Sequence, residues 1–102
     1  EIANAFQRAV KTARITAGQA AHLWQDFTGD IAAGRFKIIS PDHAAVLTRT
    51  IALTNNHTAT VGTRTLDLIH IATALEIEAA DFLSFDARQR QTASAEGLNV
   101  IP

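Results

Sequence analysis

Residues 64–91 read RTLDLIHIATALEIEAADFLSFDARQRQ, and this stretch decides the fold class. Its first half is apolar on nearly every side, which predicts a buried helix over 65–79. DFLSF at 81–85 is short and apolar, which predicts a strand. A further helix is expected at 87–96, and LNVI at 98–101 predicts another strand. Apolar strands that alternate with helices are typical of a parallel sheet covered on both faces.

The same alternation extends towards the N-terminus. Apolar residues at helical spacing predict helices over 2–14 and 20–31. FKII at 36–39 predicts a strand, and the Ser-Pro pair at 40–41 predicts the start of the next helix. The polar, glycine-containing segment 54–63 predicts a loop before the helix of the deciding stretch.

Composition bounds the function classes. The chain has 102 residues, 47% of them apolar and 19% charged, which suits one globular domain. Its formal net charge of −1 offers no general attraction to nucleic acid, so any basic surface must be local. Cysteine is absent, which excludes disulfides and thiolate metal sites. No run of 18 apolar residues exists, so we expect no membrane span.

Two carboxylates occupy unexpected places in the apolar stretch. Asp67 begins an apolar helix, and Asp86 ends an apolar strand. Sites in open parallel sheets lie beyond the carboxyl ends of the strands, where helix N-termini also point. Glu1, just before the first helix, is a third candidate at that edge. Clustered carboxylates persist when a cation neutralises them, and an oxygen-only set suits Mg²⁺ or Mn²⁺.

A purely structural interpretation of these acids is also open. An acid at a helix N-cap or in the first turn is stabilised by unpaired N–H groups and the helix dipole, by roughly 0.3–1 kcal/mol. Asp86 fits a plain N-cap, Asp67 a first-turn acid, and Glu1 a solvated side chain. Spacing alone does not decide between the two interpretations.

Three segments resemble the PIN domain. They are EIANAF at 1–6, RTLDLIHIATAL at 64–75 and FLSFDARQRQTASAEGLNVI at 82–101. The likeness extends over essentially the whole chain, and it is strongest to the compact bacterial and archaeal branch that includes VapC-type toxins. The resemblance implies a three-layer α/β/α sandwich around a parallel sheet.

The resemblance also implies a site. The family's second, third and fourth acids match Glu1, Asp67 and Asp86, with Ser84 at the hydroxyl position beside the last acid. These three acids are expected to be catalytic and to hold Mg²⁺ or Mn²⁺. The family's first acid, at the end of its first strand, has no counterpart here. We therefore expect residues 1–102 to be a single PIN-like domain that lacks its first strand and that folds poorly alone.

The function implied by the resemblance is a metal-dependent endoribonuclease that cleaves RNA phosphodiesters, as the toxin of a toxin–antitoxin pair. Expected partners are the RNA substrate, a cognate antitoxin protein and a second copy of the chain, in the cytoplasm. Arg64, Arg88 and Arg90 are candidates for contacts to the RNA backbone. A non-catalytic PIN-like binding module and a free-standing RNA-processing nuclease are the alternatives. A phospho-receiver is disfavoured because Lys11 and Lys37, the only lysines, lie far from the late strand ends.

Overall fold

The computed structural model describes residues 1–102, which form two compact units, Glu1–Ile39 and Ser40–Pro102. The chain is mixed α/β, and most of it is helical. None of its helices combines the length and the apolarity needed to cross a bilayer.

The first unit consists of two helices that pack against each other, α1 (Ile2–Lys11) and α2 (Ala17–Ala32). Thr16 caps α2: its hydroxyl accepts from the N–H of Gln19, whose side chain accepts from the N–H of Thr16. This reciprocal cap satisfies two backbone donors that a helix start leaves open.

Apolar side chains of the first unit remain largely exposed. Ala20 is its only buried residue, and Trp24 is 42% exposed. The rings of Trp24, Phe27 and Phe36 lie in a row and are tilted against each other, with neighbouring ring centroids 5.8 and 5.6 Å apart. The predicted strand at 36–39 is wrong, because these residues pair with no other strand and Ile38 is 73% exposed.

The second unit contains the sheet. It begins with α3 (His43–Leu53), a π-helical turn (Thr54–Thr58) and the short α4 (Ala59–Val61). Then come α5 (Thr65–Glu76), β1 (Asp81–Leu83), α6 (Ala87–Ala95) and β2 (Asn99–Ile101).

Strands β1 and β2 are parallel, with Phe82 opposite Val100 and Leu83 opposite Ile101. The predicted parallel sheet is therefore confirmed, although it has two strands. The three-layer sandwich remains a prediction.

One core holds the second unit together. Helices α3, α5 and α6 contribute its buried residues, which are Val46, Leu53, Leu68, Ile71, Ala72 and Ala93. One face of the sheet packs against them through the partly buried Phe82 and Val100. The opposite face of the sheet carries Leu83, which is 65% exposed. Helix α5 is thus buried on the side towards α3 and the sheet, as predicted, whereas Leu66 is an apolar residue of this helix that remains exposed.

The start of α3 differs from prediction. The N-cap is Asp42, whose carboxylate accepts from the N–H groups of Ala44 at 3.0 Å and Ala45 at 3.2 Å. A carboxylate that reaches two N–H groups satisfies more of the helix start than the hydroxyl of Ser40 could. The Ser-Pro pair at 40–41 therefore precedes the helix.

The predicted loop at 54–63 is mostly helical. The backbone N–H of Thr54 donates to the carbonyls of Thr50 and Ile51, which continues the hydrogen bonding of α3 into the π-helical turn, and the Thr54 hydroxyl also donates to the Thr50 carbonyl. His57 in that turn contacts the carboxylate of Glu96, 39 residues away. The segment ends at Gly62, whose φ of +72° closes α4 with a left-handed residue. The polar composition of this segment therefore did not predict its helical structure, which threonine hydroxyls and the contact between His57 and Glu96 support.

Candidate active site

Asp86 stands between the end of β1 and the start of α6, where it is the N-cap residue. Its Oδ1 accepts from the backbone N–H groups of Arg88 at 3.0 Å and Gln89 at 2.9 Å. The hydrogen bond from the Gln89 N–H has the largest influence on the pKa of Asp86 and lowers it. Desolvation comes next and raises this pKa, but the bond from Arg88 and the charges of Arg64 and Arg88 lower it further, so the net direction is down. Asp86 is therefore a carboxylate at neutral pH, and both bonds end on Oδ1 rather than on Oδ2.

Asp67 lies in the first turn of α5, and its side chain is only 15% exposed. Its Oδ2 accepts from Nε of Arg64, the N-cap residue of the same helix, at 3.2 Å. A carboxylate in the first turn also interacts favourably with the helix dipole. The prediction that Asp67 lies in the first turn of its helix is confirmed. Its bond from Arg64 also fits the interpretation of Asp67 as an acid that only stabilises the helix start.

Asp67 and Asp86 line the same cleft. This cleft has a volume of about 340 Å³, and it is lined by Arg64, Asp67, Asp86, Ala87 and Arg88. Two carboxylates from elements separated in sequence thus come together with two guanidinium groups. Such a surface offers oxygen ligands for a cation and cationic groups for a phosphate at one place.

Glu1 belongs to the first unit, where it is exposed and precedes α1. No cluster of three or more His, Cys, Asp or Glu side chains is arranged to hold a metal ion. The structure brings Asp67 and Asp86 into one cleft. The site of three acids, with Glu1 as the third, stays a prediction.

The three candidate arginines differ in what they contact. Arg64 pairs with Asp67, and its side chain is 77% exposed. Arg88 donates from Nη1 to the carbonyl of Gly62 at 3.3 Å. Arg90 donates to the carbonyls of Ser84 at 2.9 Å and Pro102 at 2.8 Å, so its guanidinium ties the two strand ends together. Arg64 and Arg88 line the cleft, whereas the bonds of Arg90 give it a structural role.

Four polar contacts among residues 63–92 were not predicted from the sequence, although Ser84 itself was noted there. The hydroxyls of Thr63 and Thr92 are 2.7 Å apart, and both residues are buried. Gln89 accepts from Oγ of Ser84 at 2.6 Å and donates to the carbonyl of Asp67 at 3.4 Å. Ser84 also accepts from the N–H of Asp86 at 3.2 Å. No local pattern in the sequence marks the contact between Thr63 and Thr92 or the one between Gln89 and Asp67, because both depend on which elements become neighbours.

No protein-family model, curated protein or solved structure matches this chain in comparisons with known proteins.

Proposed function

We propose that this chain is a Mg²⁺- or Mn²⁺-dependent endoribonuclease that hydrolyses RNA phosphodiesters. The observation that carries the proposal is the cleft in which Asp67 and Asp86, from two different elements, lie beside Arg64 and Arg88. The resemblance of the three sequence segments to PIN domains supports the same assignment.

The donor set fits a hard divalent cation. Asp67 and Asp86 would hold the ion, because carboxylate oxygens are the ligands that Mg²⁺ and Mn²⁺ prefer. The pKa of Asp86 is lowered further from its ordinary value, mainly by the hydrogen bond from Gln89, so at neutral pH a cation has no proton to displace there. When bound, such an ion supplies charge neutralisation at the phosphate and lowers the pKa of an attacking water. Glu1 is proposed as the third acid on the resemblance alone.

The arginines of the cleft would hold the substrate. Arg64 is largely exposed and lies at the N-terminus of α5, where a phosphate also meets the unpaired N–H groups of the first turn. Arg88 extends from the other helix. Two guanidinium groups from two elements would orient an RNA backbone across the carboxylates, in a reaction that consumes one water and breaks one P–O ester bond.

The biological setting is proposed on the same resemblance: the toxin of a toxin–antitoxin pair, cytoplasmic, and inhibited by a cognate antitoxin. An arginine of the antitoxin that pairs with Asp67 and Asp86 would block the cleft. A homodimer is supported by the exposed apolar side chains of the first unit, such as Trp24 and Leu23.

We further propose a three-layer arrangement of the sheet. The support is the exposure of Leu83 and Ile101, since parallel sheets are normally covered on both faces.

A non-catalytic binding module is the second candidate. It is favoured by the fact that each acid has a structural partner: backbone N–H groups for Asp86 and Arg64 for Asp67. Such a module would keep both acids without using a metal.

RNA cleavage distinguishes the two candidates. The chain should cleave a labelled single-stranded RNA when Mn²⁺ is present, and Asp67→Asn should abolish cleavage. Asp81→Asn is the matched control, because Asp81 lies at the other end of β1 and Asn can still accept its bond from Asn99. Cleavage at the same rate in Asp67→Asn and Asp81→Asn would exclude Asp67 from the chemistry.

A further inference from the structure

Gln89 contacts every element that forms the cleft. It is a half-buried residue in the first turn of α6. Its Nε2 donates to the main-chain carbonyl of Asp67 at 3.4 Å, and its Oε1 accepts from Oγ of Ser84 at 2.6 Å. Its backbone N–H donates to Oδ1 of Asp86 at 2.9 Å. One residue therefore joins the start of α5, the end of the strand segment and the N-cap acid of α6.

We propose that Gln89 is a positioning residue, which sets the separation of the Asp67 and Asp86 carboxylates and thereby the affinity of the cleft for a divalent cation. The cation part of this inference rests on the function proposed above. The spacing part depends only on the contacts of Gln89.

A carboxamide is suited to this position by its chemistry. It can donate to a carbonyl and accept from a hydroxyl at the same time, which neither a carboxylate nor an ammonium group can do. It is also neutral, so it adds no charge beside the two acids. Asp67 lies in the first turn of α5 and Asp86 caps α6, so the bond from Gln89 to the Asp67 main chain ties the starts of the two helices together.

The contacts with Ser84 extend this arrangement. Ser84 is buried, donates to Gln89 and accepts from the N–H of Asp86. The hydroxyl therefore fixes the rotamer of Gln89 on one side and the backbone of Asp86 on the other. Partners of this kind behind a metal ligand typically change metal affinity or activity by about 10–100-fold when they are removed.

The test compares Gln89→Met with Gln91→Met. Methionine has nearly the length of glutamine but makes neither side-chain hydrogen bond, and the backbone bond to Asp86 is retained. Gln91 lies two residues along the same helix and is exposed, so it controls for the substitution itself. Titration with Mn²⁺ should show binding weakened at least about tenfold in Gln89→Met and by less than about twofold in Gln91→Met. Circular dichroism should show the same helix content in both variants.

A second measurement needs neither a metal nor a variant. In the unaltered chain, the side-chain amide protons of Gln89 should exchange with solvent more slowly than those of Gln91, because Nε2 of Gln89 is bonded to the Asp67 carbonyl. Nuclear magnetic resonance resolves the two amide groups.

The outcomes separate this inference from the proposed function. Equal exchange at Gln89 and Gln91 would show that the hydrogen bond from Gln89 to the Asp67 carbonyl is absent, which would overturn the inference. Unchanged Mn²⁺ affinity in Gln89→Met would overturn the positioning role and leave the proposed function intact. Slow exchange at Gln89, with no Mn²⁺ uptake by the unaltered chain, would overturn the proposed function and the cation part of the inference, while the spacing part would stand.

Discussion

The buried hydroxyl pair of Thr63 and Thr92 gives a quantitative test of how the two acid-bearing helices are joined. Thr63 immediately precedes the N-cap residue of α5, and Thr92 lies in α6. Their hydroxyl oxygens are 2.7 Å apart, and the residues are 2% and 0% exposed. Thr92→Val keeps the side-chain shape but leaves the Thr63 hydroxyl buried without this partner. An unsatisfied buried group of this kind costs about 1–3 kcal/mol.

The reverse substitution should cost less. In Thr63→Val, the remaining hydroxyl of Thr92 belongs to a helix, and it can turn to the carbonyl four residues before it. The double variant Thr63→Val/Thr92→Val loses both polar groups together, and its stability should be close to that of the unaltered chain.

Urea unfolding followed by circular dichroism measures all four proteins, and thermal midpoints should follow at roughly 4–8 °C per kcal/mol for a domain of this size. The reasoning requires strong coupling between the two positions. A double variant as unstable as the sum of the two single variants would refute it, because the hydroxyls would then act independently.

Three further predictions concern the core, the acid range and the surface. Ile71→Ala should lower the free energy of unfolding by about 2–5 kcal/mol, because Ile71 is fully buried, whereas Ile71→Val should lower it by about 0.5–1.5 kcal/mol. Equal losses of the two variants in urea unfolding would contradict the burial of Ile71 in the core. Because the pKa of Asp86 is lower in the folded state, its carboxylate stabilises the fold above the unfolded pKa near 3.8, and this stabilisation is lost as pH falls through the folded pKa. Asp86→Asn should therefore flatten this part of a plot of unfolding free energy against pH, recorded from pH 2 to 6. Plots of equal slope for the two proteins would show that the pKa of Asp86 is not lowered. Arg49→Ala removes an ion pair with Glu76 that is partly open to water, so denaturant titration should show a loss of at most about 1 kcal/mol.

Features fixed by local chemistry were predictable from the sequence. The apolar pattern identified α5 with its correct first residue, although the helix ends at Glu76, three residues before the predicted end. The positive φ of Glu78, +52°, is incompatible with a continued right-handed helix. Asp86 was correctly recognised as a possible N-cap, because the capping rule involves only residues within one turn.

Features that depend on distant partners were not predictable in the same way. FKII at 36–39 has the composition of a strand, but a strand forms only where another one pairs with it. The segment 54–63 was expected to be a loop, and the contact between His57 and Glu96 could not be read from its composition. Gln89 escaped notice for the same reason, since its role depends on the packing of α6 beside the start of α5.

The central claim is that Asp67 and Asp86 hold one divalent cation together, and Mn²⁺ titration of the chain and three variants tests it most directly. Asparagine is as good an N-cap as aspartate, so Asp86→Asn removes the charge without removing the helix start. The account predicts saturable Mn²⁺ binding by the unaltered chain and by Asp81→Asn, and loss of this binding in both Asp67→Asn and Asp86→Asn. Mn²⁺ binding of equal strength in all four proteins would contradict the account.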